Sequence, residues 1–178
     1  MNAFRTLVLS MTGMAVFAAL SIYVHAQGST PPSQGPSLAA SLKLDNEHVT
    51  VGEKPQAVLT LKNISQQEKC FRTANSLYRV HVEGKNGGPP ETEFQRHLRG
   101  EVRPGDGPAP VEGPGDCVNI PAGGPIFLTY DLTMFYDLSA PGTYTVYLEI
   151  LDESKDKIGS GVWLRTNIAQ FEMQAPSQ

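Results

Sequence analysis

The segment Asp137-Leu-Ser-Ala-Pro-Gly-Thr-Tyr144-Thr-Val146 constrains this chain more than any other. A Pro-Gly turn delivers the backbone into a run in which Tyr144, Val146, Leu148 and Ile150 alternate with polar or smaller residues. That period of two is the signature of a strand with one face in a core and one in solvent. A tyrosine at the entry of such a strand fills core with its ring, while its hydroxyl binds backbone upstream and fixes the crossing loop. Tyr144 is therefore expected to act as a structural tyrosine corner.

The same period recurs along the chain. Leu38 to Leu44, with His48 to Val51 as its continuation after an Asp45-Asn46 turn, reads as a first strand. Ala57, Leu59 and Leu61 mark a second that ends at Asn63, and Leu77 to Glu83 a third. Ile126 to Leu132, Tyr144 to Ile150 and a long last run from Gly161 to Met173 complete the set. Met134 to Leu138 reads as a turn of helix or a crossover capping the end of the core, and Asp152 to Lys157 as a solvated hairpin loop. Helix-period patterning is confined to the amino-terminal apolar run. The expected fold is all-β, an immunoglobulin-like antiparallel β-sandwich of about seven strands with one long Gly/Pro-rich loop.

That loop, Gly84 to Pro125, has 18 Gly or Pro among its 42 residues. Loops of this length without structure of their own are uncommon in compact domains. A charged piece, Glu91 to Arg99, interrupts it and reads as an edge strand. Its Phe94, Arg96, His97 and Arg99, with Arg103 beyond, form the candidate interaction surface, because arginine and aromatics are enriched at binding hot spots. The competing reading is solubilising charge that protects an exposed edge.

The amino terminus places Arg5 ahead of an apolar run from Leu7 to about Ile22, followed by Val24-His25-Ala26. Residues 1–26 read as a signal peptide cleaved after Ala26, with an uncleaved anchor as the alternative. Residues 27–37 are composed of Gly, Ser, Thr, Pro and Gln and read as a flexible linker, 38–173 as the domain, and 174–178 as a tail. The expected location is secreted or periplasmic. Removing residues 1–26 changes 14 basic against 18 acidic residues to 13 against 18. This mild acidity disfavours nucleic acid and, after signal cleavage, anionic membrane as partners. The remaining length suits one domain and a monomer. The two cysteines, Cys70 and Cys117, are expected to form a disulfide in an exported chain, the alternative being two inert thiols.

Catalytic and metal signatures are missing from the sequence. His48, His81 and His97 fall on separate expected elements with no metal-ligand spacing. Gly159-Ser160-Gly161 lacks the spacing of a nucleophile elbow and reads as a hairpin turn. Asp131, Asp137 and Glu149 are explained by turns and outward strand positions. His81 shares a strand face with Arg79 and Glu83, a solvated polar cluster. Trp163, two residues before Arg165, reads as sheet packing, with a carbohydrate platform as the alternative. Asn63-Ile64-Ser65 matches a glycosylation sequon. No catalytic residue, metal or cofactor is therefore expected.

Val51-Gly-Glu-Lys-Pro with Val58-Leu-Thr-Leu-Lys-Asn63, Ile120-Pro-Ala-Gly-Gly, the Asp137 to Val146 segment and Leu164-Arg-Thr-Asn167 together resemble secreted bacterial immunoglobulin-like domains across residues 38–173. The same order of signals is similar to BsuPI-type proteinase inhibitor domains and to the β-sandwich pro-regions of some metalloendopeptidases. The resemblance implies the fold; the export signal, the sandwich pattern and the missing catalytic set together point to a non-enzymatic secreted interaction module with a protein or small ligand as partner. Its alternatives are a proteinase inhibitor or pro-region-like regulator presenting the 84–125 loop, and small-molecule or carbohydrate binding. An enzyme using His81 or His97 is the least supported class.

Overall fold

The computed structural model describes residues 35–176, apart from residues 86, 111, 112, 114, 155 and 156. The expected signal peptide and most of the linker lie outside the described residues. Among the described residues there are ten strands: β1 Leu38–Leu44, β2 His48–Thr50, β3 Gln56–Asn63, β4 Lys69–Arg72, β5 Tyr78–Gly84, β6 Cys117–Ile120, β7 Pro125–Asp131, β8 Gly142–Ser154, β9 Lys157–Arg165 and β10 Ala169–Gln174. One sheet has the order β1-β3-β7; the other runs β2-β10-β8-β5, with β9 also on β8. A short β2 lies parallel to the last strand, β10, and the other pairings are antiparallel. This is an immunoglobulin-like β-sandwich.

The alternation explains the core. Leu38, Leu42, Leu59 and Leu61 from the first sheet meet Val80, Val82, Val146, Leu148, Ile150 and Phe171 from the second, all buried. At the strand entry Tyr144 Oη donates to the Ala140 carbonyl at 2.9 Å, four residues upstream. Its ring stacks on Phe171 at 5.6 Å between centroids. The capping segment begins earlier than its apolar residues suggest. A 3-10 turn spans Leu132–Met134, and Phe135, Tyr136 and Leu138 then enter the core.

The long last strand is broken by a register shift. Leu148 of β8 receives Thr166, with Thr166 N–H donating to the Leu148 carbonyl at 2.9 Å. The Thr166 hydroxyl in turn accepts from Leu148 N–H at 3.0 Å, where a strand carbonyl would normally stand. Before this point Glu149 faces Arg165, and after it Val146 faces Ala169, so the last strand carries one extra residue. Such a bulge reverses which side of the strand faces the core. Leu164 and Thr166 point inward before it, and Ala169, Phe171 and Met173 after it. The bulge also aims Asn167 at the other sheet. Its amide accepts from Leu42 N–H at 2.8 Å and donates to the Leu42 carbonyl at 3.0 Å, clasping edge strand β1.

Asp152 does not belong to a solvated loop. β8 continues to Ser154 and carries Asp152 into a buried position, where its side chain is 4% exposed. The carboxylate accepts from Ser37 N–H at 2.5 Å and Leu38 N–H at 3.0 Å, and it pairs with the Lys69 ammonium, 9% exposed. Ser37, expected at the end of a flexible linker, is thereby ordered by its hydroxyl and amide contacts to this carboxylate. Beyond the other end, Gln174 belongs to β10 rather than to a loose tail, and its carbonyl accepts from Val51 N–H at 2.8 Å.

β4 and β6 pair as a two-stranded ribbon, joined by the Cys70–Cys117 disulfide with Cα atoms 5.4 Å apart. The bond spans 47 positions of sequence, which corresponds to about 4 kcal/mol of loop-closure entropy. Asn63 is fully buried beside this ribbon. Its amide nitrogen donates to the Gln67 and Ile120 carbonyls, so the sequon nitrogen is occupied inside the fold.

Two substitutions test this framework. Asp152→Ala strands a buried ammonium and should cost about 3 to 5 kcal/mol in urea unfolding, with part recovered when Lys69→Met is added. Tyr144→Phe, which removes one hydroxyl donor, should cost about 1 kcal/mol in the same assay.

Candidate interaction face

The expected edge strand at Glu91 to Arg99 is a helix. Thr92 caps α1, Glu93–Leu98, by accepting from Gln95 N–H at 3.2 Å, and its hydroxyl donates to the Met134 carbonyl at 2.6 Å. A threonine acceptor three residues ahead of an amide is a strong N-cap, and it outweighs the short alternating pattern that suggested a strand. Buried Gln95 reaches the Val80 carbonyl at 3.2 Å, and Tyr136 Oη donates to that same carbonyl at 2.9 Å. The helix thus covers the outer edge of β5.

This geometry divides the five sequence-expected residues. Phe94 packs edge-on against Phe135 at 5.7 Å, on the flank of the core. Arg96 turns inward to Asp106 at 2.5 Å, and the His97 ring is 3% exposed with Nε2 3.9 Å from the same carboxylate. Arg99 pairs with Glu91 and Glu101, and only Arg99 and Arg103 stand exposed. The loop from Arg99 onward is braced rather than loose. Arg103 N–H donates to Asp106 at 2.7 Å, and Gly107 N–H to Glu93 at 2.7 Å. At its crest Val102 is 69% exposed.

A more coherent surface lies on the outer face of β5, β8 and β9. Register sets His81 opposite Tyr147, Arg79 opposite Glu149, and Glu149 opposite Arg165. The His81 ring stacks on Tyr147 at 4.5 Å with planes 9° apart, and the Arg165 guanidinium stands 3.7 Å from the Tyr147 centroid. Arg79 covers Trp163 at 4.1 Å. Glu149 lies between the rows, 3.1 Å from His81 Nε2 and 3.8 Å from Arg79. Cations over aromatic faces gain about 0.5 to 1 kcal/mol each at exposed sites. The polar cluster foreseen around His81 exists with Glu149, a cross-strand neighbour, as its carboxylate. Glu83 is exposed at the far end of the face.

The sequence supplied Trp163 and Arg165 two apart, and Arg79 and His81 two apart, but strand register alone brings them to one face. A shallow groove of about 550 Å³ lies elsewhere, beside the bulge, lined by Leu42, His48, Asn167, Ile168 and Glu172 among others. His48 pairs there with Glu172 at 3.1 Å. Among the described residues no group of three or more His, Cys, Asp or Glu side chains is placed to hold a metal ion.

No protein-family model and no curated protein sequence matches the chain. Among solved structures, a Pseudomonas fluorescens alkylpurine DNA glycosylase bound to abasic-site DNA is similar at 13% identity and a TM-score of 0.40. The match covers 79% of this chain and 31% of the glycosylase, so the chain spans about a third of that protein. The CARDB domain of a Pyrococcus furiosus protein, in complex with di-metal ions, is similar at 12% identity and a TM-score of 0.37, over 79% of this chain and 93% of that domain. A Listeria innocua β-glucosidase is similar at 15% identity and a TM-score of 0.38, over 79% of this chain and 16% of that enzyme. The immunoglobulin-like description rests on the strand order and register given above.

Two carboxylates make stability depend on pH. The Arg72 guanidinium, bonded to Glu153 at 2.5 and 2.8 Å, holds that carboxyl below its usual range, and hydrogen bonding from Arg96 does the same for Asp106. A carboxylate depressed in the folded state adds stability above its unfolded pKa of about 4 and loses it as the pH falls through the folded value. The urea midpoint should therefore be flat above about pH 5 and fall below about pH 4. Glu153→Gln should give a lower midpoint at pH 7 and a shallower acid decline.

Proposed function

We propose that this chain is an exported, non-enzymatic recognition module that binds a protein partner through the outer face of β5, β8 and β9. The observation that carries this reading is the stack of His81, Tyr147 and Arg165 beside the Arg79–Trp163 pair. Tryptophan, tyrosine and arginine are the residues that dominate binding hot spots. Here both faces of the Tyr147 ring are already occupied, so little side-chain entropy remains to be lost on binding. Two guanidiniums around Glu149 also present cationic groups on a chain of net charge -4, which suits a partner with carboxylates at its contact surface. The Cys70–Cys117 disulfide accords with an oxidising compartment, as does the amino-terminal signal pattern.

The inhibitor reading keeps one observation in its favour: a loop braced by Arg96–Asp106 that carries exposed Val102 at its crest. One comparison separates the two. The mature domain, Trp163→Ala with Arg165→Ala, and Val102→Asp with Arg103→Glu are each used to capture partners from the native extracellular fluid. The proposed face predicts a partner whose affinity falls at least about 30-fold with the first pair and changes less than about threefold with the second. The reverse pattern, with a captured protease, would replace this reading by the inhibitor one.

A further inference from the structure

The strand edges of this sandwich are not treated alike. Two residues of β1 whose backbone points away from β3 meet side chains: Leu38 N–H bonds Asp152, and the Leu42 N–H and carbonyl are both bonded by Asn167. The β5 edge is met by Gln95 and Tyr136 at Val80 and by Gly87 at Gly84. β7 lacks such cover among the described residues. Hydrogen bonds from Leu132 N–H to Pro55 and from Asn63 N–H to Gly124 set its phase against β3. With that phase Ile126, Leu128 and Tyr130 bond β3, while the amides and carbonyls of Phe127 and Thr129 point away from the sheet.

The side chains along this edge are as unusual as its backbone. Phe127 is 66% exposed, with no charged residue from Pro125 through Tyr130 to discourage pairing. On the inner face Ile126, Leu128 and Tyr130 reach the core but remain only half-buried. An added strand would cover apolar surface on both faces at once. In the immunoglobulin arrangement a sheet of this kind carries a fourth strand beside the one that β7 represents.

We propose that β7 pairs antiparallel with β7 of a second copy of this chain across a two-fold axis at Leu128. In that register Phe127 of one copy opposes Thr129 of the other, an aromatic and β-branched pair, and each exchanges backbone hydrogen bonds with the other. Ile126 comes opposite Tyr130, and the two Leu128 side chains meet, so the half-buried inner row closes. Asp131, already paired with Lys54 at 3.2 Å, falls opposite Pro125, which has no N–H and ends the ladder. The two three-stranded sheets become one. The surface removed is that of a single strand edge, below the roughly 1,200 Å² of a standard interface, so the dimer is weak and concentration-dependent. It leaves the β5, β8 and β9 face free, because that face belongs to the other sheet.

Sedimentation equilibrium of the disulfide-intact domain up to about 0.5 mM should show a monomer–dimer equilibrium in the micromolar range or weaker. Phe127→Lys, a change on the solvent side of the strand, and Thr129→Pro, which removes an outward N–H, should each weaken it at least tenfold. Amide exchange at Phe127 and Thr129 should slow as wild-type concentration rises. Circular dichroism of Phe127→Lys verifies an unchanged fold. A wild-type chain that stays monomeric throughout overturns the proposal and leaves the edge to a strand of a different protein. A dimer that survives Phe127→Lys unchanged overturns it as well.

Discussion

A single buried carboxylate holds three parts of this sandwich in place. Asp152 sits near the end of the longest strand, β8, and binds the start of β1 through two amides while pairing with Lys69 on β4. Removing two charges from water costs several kcal/mol per ion, which only close pairing and satisfied lone pairs can offset. Here the lone pairs are used by Ser37 and Leu38, and the ammonium also reaches the Ser37 hydroxyl and the Glu153 carbonyl. Such an arrangement tolerates few alternatives. A slip of β4 by one residue would leave a charge buried without its partner, and a slip of β1 would remove the amides that satisfy the carboxylate, so this site specifies register as much as it stabilises.

The bulge at Thr166 works by a related logic. A sandwich must stop its edges from pairing at random, and one extra residue in the last strand both helps with this and resets the core face. It turns Ala169, Phe171 and Met173 into the core, and it directs Asn167 across to Leu42 on β1. Because Trp163 and Arg165 precede the bulge, they stay on the outer face with Tyr147. The irregularity that seals one edge thus also decides which aromatic and cationic side chains meet solvent together. β7, by contrast, has neither a bulge nor a capping side-chain amide among the described residues.

Much of the sandwich was legible in the order of residues. Alternation at Leu38 to Leu44, Ala57 to Leu61, Leu77 to Glu83, Ile126 to Tyr130 and Tyr144 to Ile150 is repeated for long enough that burial of one face leaves a single solution. β4 and β6 were missed because four residues are too few to show a period, although each contains one of the two cysteines. Glu91 to Arg99 misled for a different reason. Its short polar alternation suits an exposed strand, whereas the cap at Thr92 and the buried Gln95 contact with Val80 favour a helical turn.

The class of fold, the core-facing residues of the long strands and the entry geometry at Tyr144 follow from residue order, because these depend on local pattern and turn chemistry. Tertiary structure alone decided that Asp152 is buried with Lys69, that Asn63 is enclosed, that Arg96 and His97 turn inward, and that Tyr147 lies between His81 and Arg165. Each of those outcomes depends on register between strands far apart in the chain. A one-residue shift moves a side chain to the opposite face, and no local pattern encodes that choice.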